Sequence, residues 1–396
     1  MQAVILAAGK STRTHPLTVT RPKPLLKVAN KTLLEYNLDA LNYITKEVII
    51  VVGFKAELIK KHIGTRYRGI NIKYVEQKHQ LGTGNAILAA EDLVKDRFLV
   101  LMGDDIYSKD DLKAITKHNC AVLAKEVNNP TRFGVLLVEN NLVKKIIEKP
   151  KRPVSNLANT GCYVLDKNVF SLAKSLKKSK RGEYELVDVI NAVASNTDVT
   201  CQIVKHYWFP VTYPWSLLEL NEFFVKKLKK TVIKGTIEDG CTVDGPLFVG
   251  KGSVIKAGTY IVGPVVIGEN CEIGPNSYLR AGTTIGNNCK IGQAVEIKNS
   301  IIGDYTKVPH LSYVGDSVIG EGCNLGAGTI IANLRHDNAN VKSAVKGKLI
   351  DTGRRKFGTV FGDNVHTGIS TSIFPGRKLW PNTCTRPGQI VDKDIL

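Results

Sequence analysis

The second half of this chain carries an aliphatic residue at every sixth position, and that spacing restricts the fold more than any other feature. Ile237, Val243, Val249, Ile255, Ile261, Ile267, Ile273, Leu279, Ile285, Ile291 and Ile297 follow in register. After a one-residue slip come Ile302, Val308 and Val314, and after another Ile319, Leu325 and Ile331. A hexapeptide repeat is the signature of a parallel β-helix, in which each face of a triangular prism takes about six residues and each coil about eighteen, one aliphatic per face pointing inward. Gly250, Gly268, Gly274, Gly286, Gly292 and Gly303 directly follow inward positions.

The prism pattern accounts for most cysteines in this half. Cys241, Cys271, Cys289 and Cys323 each stand two positions before an inward aliphatic, and Cys271 and Cys289 are one coil apart. They are expected to stack as small apolar fillers rather than to bind metal. The 8 Cys of the chain include no C-x-x-C, so neither a zinc site nor a disulfide framework is indicated, and a reducing cytoplasm is expected. The hexad breaks after Ile331 in the polar, basic stretch "NLRHDNANVKSAVKGKLIDTGRRKFG", then resumes at Phe361, Thr367, Ile373 and Leu379. Such an excursion is expected to project from one face of the solenoid, where binding sites often lie.

Residues 1 to about 228 read differently. "QAVILAA", "EVIIVVG", "NIKYVEQ" and "RFLVLMGDD" read as strands, with "LLEYNLDALNYI" and "GNAILAAEDLV" as helices between them. That alternation predicts a mostly parallel α/β sheet with ligands at the carboxyl ends of its strands. "YPWSLLELNEFFVKKLKK" predicts a closing helix with Pro214 at its start. The first strand runs into "LAAGKSTRTHPLTVTRPKP", residues 6–24, which holds Arg13, Arg21 and Lys23 and no acid. Small residues followed by cations suit a polyphosphate, although neither the G-x-x-x-x-G-K-[ST] nor the G-x-G-x-x-G spacing is present and a generic basic loop reads equally well.

The chain has 396 residues, 43% hydrophobic, and Lys plus Arg number 55 against 36 acids, a net charge of +19. No apolar run approaches the roughly 20 residues of a membrane span, and the N-terminus reads directly as a strand rather than a signal peptide. Runs such as "KSLKKSKRG" and "KKLKK" look like solvated helix faces, and no nucleic-acid motif is present. Phosphorylated small substrates explain the basicity as well as nucleic acid does.

With these features together, the chain resembles the bifunctional GlmU-like family, in which a sugar-1-phosphate nucleotidylyltransferase precedes a left-handed β-helix acetyltransferase. The arm "NLRHDNANVK…GRRKFG" is similar to that of the archaeal branch. The resemblance spans the whole chain and implies a Rossmann-like mixed α/β domain at 1–228, then a left-handed parallel β-helix at 229–396 with a polar arm at about 333–358. "LAAGKSTR" and "RPKP" look like the nucleotidyltransferase signature, which implies nucleotide contacts at Ala8 and Gly9, triphosphate stabilisation by Arg13 and phosphoryl stabilisation by Lys23. "EQKHQLGTGNAI" implies base recognition by Gln77, Gly82 and Thr83. "MGDD" implies that Asp104 holds Mg²⁺. "FGV", "EKP" and "NTG" imply a sugar-phosphate pocket of Gly134, Glu148, Lys149 and Asn159; read singly, Glu148 is equally an ion-pair partner.

The acetyl half of the resemblance implies six residues: Arg280 in "YLRAG", Lys298 in "EIKNS", His310 and Tyr313 in "PHLSY", Asn324 in "CNLGAG" and Asn333 in "ANL". His310, in a loop off the hexad register, would be the general base, because an amine must shed a proton as it attacks a thioester. Arg280 and Lys298 would pin the sugar phosphate. Tyr313 and Asn324 would orient the sugar, and the small Gly326 and Ala327 would let coenzyme A lie along the prism. Arg354, Arg355 and Lys356 would meet its phosphates or be solvated. The resemblance implies acetyl-CoA, UTP or dTTP, and glucosamine or galactosamine 1-phosphate as substrates, and a homotrimer without nucleic-acid or membrane partners.

Four positions depart from the family pattern. Pro210 stands where a second metal-binding acid or Asn is usual, Ser216 replaces an Asp, Ser11 replaces a Gly and Thr14 replaces an apolar residue. Two alternatives therefore stay open: a nucleotidyltransferase with the β-helix as assembly module, and an acetyltransferase with a degenerate front domain that senses nucleotide sugars.

Overall fold

A computed structural model describes residues 1–175, 177–179 and 182–396. The chain divides into two units: Met1–Lys10, Pro22–Leu25 and Leu33–Pro210 form the first, and Ser11–Arg21, Leu26–Thr32 and Val211–Leu396 the second.

The first unit is built on a ten-stranded mixed sheet ordered Gly134–Glu139, Leu142–Glu148, Thr200–Ile203, Ala121–Glu126, Leu157–Leu165, Phe98–Met102, Gln2–Leu6, Glu47–Val52, Ile70–Glu76, Arg66–Tyr67. Gln2–Leu6 is parallel to both neighbours, whereas Leu157–Leu165 is antiparallel to Phe98–Met102. Alternate residues face opposite layers. Ile5, Ile50 and Leu101 join a core with Leu34, Leu38 and Ile59; Val4, Ile49 and Val100 join one with Ile87, Leu186 and Ile190. Covering both faces explains why these strands read as unbroken apolar runs. Leu6 pairs with Met102, so the loop after the first strand and the Gly103–Asp104 turn leave the same sheet edge, the carboxyl ends of the parallel strands.

Helices are shorter than the apolar patterns suggest. Leu33–Leu41 stops before Ile44, and Thr83–Leu88 gives way to a 3₁₀ turn at Glu91–Leu93. The two basic runs are not helix faces. Asn168–Lys174 ends as the first begins, and Ser216–Val225 ends just before "KKLKK". Lysines that follow a helix complement its negative C-terminal dipole. Of the first run, residues 176, 180 and 181 lie outside the described residues.

The second unit contains three parallel sheets of eight, seven and eight strands, the left-handed β-helix class. On one face Val249, Ile267, Ile285, Ile302 and Ile319 stack in register, so the one-residue slips shorten two coils without shifting the ladder. Inward aliphatics from Ile255 to Ile297 are fully buried. Val243 is exposed and Ile237 only half-buried, because no coil precedes theirs to cover it.

Cys271, Cys289 and Cys323 are buried and hydrogen-bonded rather than merely filling space. Their thiols donate to the carbonyls of Gly286 (3.0 Å), Gly303 (3.1 Å) and Gly362 (3.3 Å). Ser253 and Thr306 do the same to Gly268 and Gly320, so the position selects a small donor that satisfies the next coil's backbone.

The arm does not simply project. It forms a hairpin of Lys342–Val345 and Lys348–Asp351 that packs back on the prism with Val341 and Ser343 buried. Ser343 donates to the Gly376 carbonyl (2.8 Å), Lys378 Nζ donates to the Ala344 carbonyl (2.6 Å), and a Leu334–Lys356 bridge closes the base. Within this unit Arg21 pairs with Glu321 and, at 2.6 Å, with Asp363; Lys27 pairs with Asp304 at 2.5 Å.

Candidate active sites

At the carboxyl edge of the first unit's sheet, Lys23 is buried and its Nζ lies 2.7 Å from Asp104 Oδ2. Asp104 stands in the tight turn between Phe98–Met102 and Asp105–Tyr107. Among the described residues Asp104 Oδ1 takes no hydrogen bond, so this carboxylate can still reach a cation whose other ligands are phosphate oxygens. Pro210 sits directly opposite Asp105 in an antiparallel pair, and Asp105 Oδ2 accepts the Trp208 indole N–H at 3.1 Å. No cluster of three His, Cys, Asp or Glu suited to a metal occurs among the described residues. The donor set therefore fits an ion held mainly by Asp104 and substrate phosphates.

Gln77 is buried and its amide donates to the Gly82 carbonyl (3.0 Å) and Asn85 (2.9 Å). Gly82 has φ 111°, and a Cβ there would lie 2.5 Å from the Tyr184 carbonyl oxygen, so only glycine fits. The Thr83 hydroxyl accepts the Leu186 N–H (3.0 Å), tying this segment to the helix Leu186–Ala194. Gly134 pairs with Glu148, and a Cβ on Gly134 would lie 3.1 Å from Glu148 Oε2 and 3.5 Å from Asn159. Glu148 also pairs with Lys149 at 3.1 Å. Asn159 donates to the Tyr163 phenol at 2.7 Å, and burial pushes that phenol well above its ordinary range. The structure thus gathers Gly134, Glu148, Lys149 and Asn159, and separately Lys23 with Asp104. Ala8 is buried and Gly9 exposed at the end of the first strand.

Arg13 belongs to the second unit, exposed on the turn Thr12–Thr14, and makes no ion pair among the described residues. The departures around it compensate each other. Ser11 adopts φ 50°, which favours glycine, and its carbonyl is held by the hydroxyls of Thr14 (2.7 Å) and Thr18 (2.9 Å). Ser216 begins its helix and accepts the Tyr213 N–H.

In the β-helix, Arg280, Lys298 and Gly315 form one column on successive coils. Arg280 pairs with Glu296 (2.9 Å), which raises its pKa, and lies 5.5 Å from the Tyr278 ring. Gly315 leaves room: a Cβ there would lie 2.5 Å from both Asn333 Nδ2 and Tyr313 Oη. Asn333 Nδ2 donates to Tyr313 Oη (3.1 Å) and to Asp316 Oδ2 (2.6 Å), and Lys298 Nζ lies 3.3 Å from the same oxygen. Burial raises the Tyr313 pKa, with the Asn333 hydrogen bond opposing.

The structure therefore brings Arg280, Lys298, Tyr313 and Asn333 together, and among the described residues His310 and Asn324 make no hydrogen bond to them. His310 ends the strand Lys307–His310 instead of lying in a loop, exposed just before a corner at Leu311. Asn324 stacks between Lys307 and His366 on that second face, and the Ala327 carbonyl accepts the Ser370 N–H (2.7 Å). The basic triplet separates: Arg354 pairs with Glu222 (2.7 Å), Arg355 reaches Asn338, and Lys356 lies beside Lys298, whose charge lowers its pKa. Sequence reasoning missed Gly315, Glu296 and Asp316. The signal was their 17- or 18-residue spacing from Lys298, Tyr278 and Lys298 respectively.

Residues 2–227 match the nucleotidyl transferase family, and residues 261–382 match the GMPPB C-terminal domain. A solved Bacillus anthracis structure, provisionally described as a glucose-1-phosphate thymidylyltransferase in complex with a sucrose, is 31% identical, covers 56% of this chain and 95% of its own, and superposes with a TM-score of 0.52. The front half thus defines a nucleotidyl transferase. The "Bifunctional protein GlmU" of Methanocaldococcus jannaschii is 41% identical over 397 residues, 100% of this chain and 96% of that protein. The bifunctional sugar-1-phosphate nucleotidylyltransferase/acetyltransferase of Sulfurisphaera tokodaii is 41% identical over 100% of this chain and 98% of its own. The chain belongs to this bifunctional GlmU family of transferases.

Proposed function

We propose that this chain acetylates an amino-sugar 1-phosphate with acetyl-CoA and transfers a nucleotidyl group from UTP or dTTP to a sugar 1-phosphate. The domains are 1–228 for nucleotidyl transfer and 229–396 for acetyl transfer, with the arm at about 333–358. The observation that carries the reading is the column of Arg280 and Lys298 beside Tyr313 and Asn333, cleared by Gly315. An assembly module needs no such set, and the relatives named bifunctional match along the whole chain.

In acetyl transfer, Arg280 and Lys298 hold the sugar phosphate while Tyr313, Asn324 and Asn333 orient the sugar. The amine attacks the thioester carbonyl, a C–N bond forms, the C–S bond breaks and coenzyme A leaves as thiolate. His310 takes the proton the amine sheds. Ala327 and Gly326 leave the coenzyme a smooth path, and Arg355 meets its phosphates. In nucleotidyl transfer, Ala8, Gly9, Gln77, Gly82 and Thr83 contact the nucleotide, and Gly134, Glu148, Lys149 and Asn159 the sugar phosphate. Arg13 and Lys23 stabilise charge as the sugar phosphate displaces pyrophosphate in line. Mg²⁺ held by Asp104, when bound, offsets charge on the triphosphate.

The protein is proposed to be a cytoplasmic homotrimer joined through the prism. Eight free cysteines support a reducing compartment, and among the described residues no helix is long and apolar enough to cross a membrane. Incubating pure protein with acetyl-CoA and each amino-sugar 1-phosphate, then with UTP or dTTP and Mg²⁺, tests the function. Formation of a nucleotide N-acetylamino sugar is expected. Absence of acetylated product with every amino sugar would overturn the acetyl reading.

A further inference from the structure

Asp316 is a carboxylate where a turn residue alone would suffice. It is 3% exposed, has φ 48°, and sits at the corner after Tyr313–Gly315. Aspartate tolerates that left-handed backbone, but so does asparagine. Its contacts reach three coils. Oδ1 accepts Asn299 Nδ2 (2.8 Å), and Oδ2 accepts Asn333 Nδ2 (2.6 Å) with Lys298 Nζ at 3.3 Å. Its backbone N–H donates to the Lys298 carbonyl, and its carbonyl accepts the Gly358 N–H at the end of the arm.

The consequence lies in hydrogen-bond direction. A carboxylate only accepts, so it fixes the amides of Asn299 and Asn333 with their NH₂ groups toward it. Asn333 then spends both N–H groups, on Asp316 and on Tyr313 Oη. Among the described residues its Oδ1 has no partner, which leaves an acceptor beside Tyr313 and Lys298. On the other side Lys298 has Lys356 as a neighbour, and two ammonium groups repel unless a counter-charge is present.

We propose that Asp316 is the positioning residue of the acetyl-transfer pocket: it aims the Asn333 acceptor outward and holds the Lys298 ammonium in place. The pocket then offers its substrate a hydrogen-bond acceptor next to cations, which matches an amino sugar carrying both a donor amine or hydroxyl and a phosphate. This rests on the acetyl-transfer reading above.

The test uses the full chain and three proteins: wild type, Asp316→Asn, and Asp316→Asn with Asn333→Asp. Asp316→Asn keeps size and backbone preference but turns one acceptor into a donor facing Lys298 and Asn333 or Asn299. It should lower kcat/KM for the amino-sugar 1-phosphate about 10- to 100-fold, the loss of a charge-assisted hydrogen bond, while the KM for acetyl-CoA stays within about twofold. The exchanged pair restores a carboxylate beside Lys298 and an acceptor toward substrate, so it should regain about tenfold or more of that loss. A merely structural role would depress both substrates together and gain nothing from the exchange. Wild-type activity in Asp316→Asn, or a loss that the exchange does not relieve, would overturn the proposal alone. A wild-type protein that acetylates no amino-sugar 1-phosphate would overturn the function and this inference together.

Discussion

The two sites are assembled by different rules. In the nucleotidyl unit the candidate residues sit in short motifs on turns and strands, and several partners are neighbours along the chain or on the next strand: Glu148 with Lys149, Asn159 with Tyr163, Gly134 opposite Glu148. In the β-helix the partners are one coil apart and meet through the side chain of Asp316. A motif-built site is written in short stretches of sequence, so loss of one group removes few contacts. A coil-built site is written in register, so one group orients several. The same change should therefore act locally in the first and spread in the second.

The largest effect tests whether the two sites are separate. His310→Ala should lower acetyl transfer about 10²- to 10⁴-fold, as removal of a general base does, and leave nucleotidyl transfer unchanged. The ring is exposed, so circular dichroism should not change. Acetyl transfer at the wild-type rate would remove His310 from the mechanism. The converse variant, Lys23→Met, should lower nucleotidyl transfer about 10²- to 10³-fold by removing a positioned cation, with acetyl transfer intact. If either variant depressed both activities, the sites would not be independent.

Two glycines sharpen the contrast at smaller scale. Gly315→Ala puts a Cβ 2.5 Å from two hydrogen-bonded atoms, so Asn333 and Tyr313 must both shift. The KM for the amino-sugar 1-phosphate should rise about tenfold through misplacement alone. Gly134→Ala meets the end of the Glu148 carboxylate at 3.1 Å and the Ile146 side chain at 3.3 Å, contacts that shifts of a few tenths of an ångström relieve, so nucleotidyl transfer should fall less, about two- to threefold. Equal effects from the two substitutions would argue against the distinction between motif and register.

That distinction also explains what the sequence disclosed. The β-helix was legible because one aliphatic per face must be buried, and a coil that ends the stack exposes Val243 for the same reason. The front sheet was legible because strands covered on both faces carry unbroken apolar runs. The candidate residues of the front unit could be listed from motifs. Asp316 could not, because "YVGDS" reads as an ordinary corner and its partners lie 17 and 18 residues away on coils of changing length. The docked arm was also hidden: Val341, Ser343 and Val345 alternate inward at its first strand, but one of the three is polar and the run is too short to stand out in a polar stretch. Ser11 and Thr14 look like two separate losses until Thr14 is seen holding the Ser11 carbonyl.

The smallest effect concerns the metal. Asp104 gives one oxygen to Lys23, and the neighbouring Asp105 is engaged by Trp208, so a bound Mg²⁺ would rely mostly on substrate phosphates. Nucleotidyl transfer should then need millimolar Mg²⁺ for full rate. Pro210 stands across from Asp105, the position from which a second carboxylate would come. Pro210→Asp should lower the Mg²⁺ concentration for half-maximal rate about 3- to 10-fold, equivalent to roughly 1 kcal/mol of added Coulomb attraction at a hydrated site. The added N–H is a separate change, since proline has none, and Pro210→Ala controls for it: alanine restores the N–H without charge and should leave the Mg²⁺ dependence where it is. A Mg²⁺ titration of the unmodified protein with UTP and N-acetylglucosamine 1-phosphate decides the premise. Full turnover at sub-millimolar Mg²⁺ would mean that Asp105 leaves Trp208 to serve as the second ligand, and Asp105→Asn should then abolish the tight dependence.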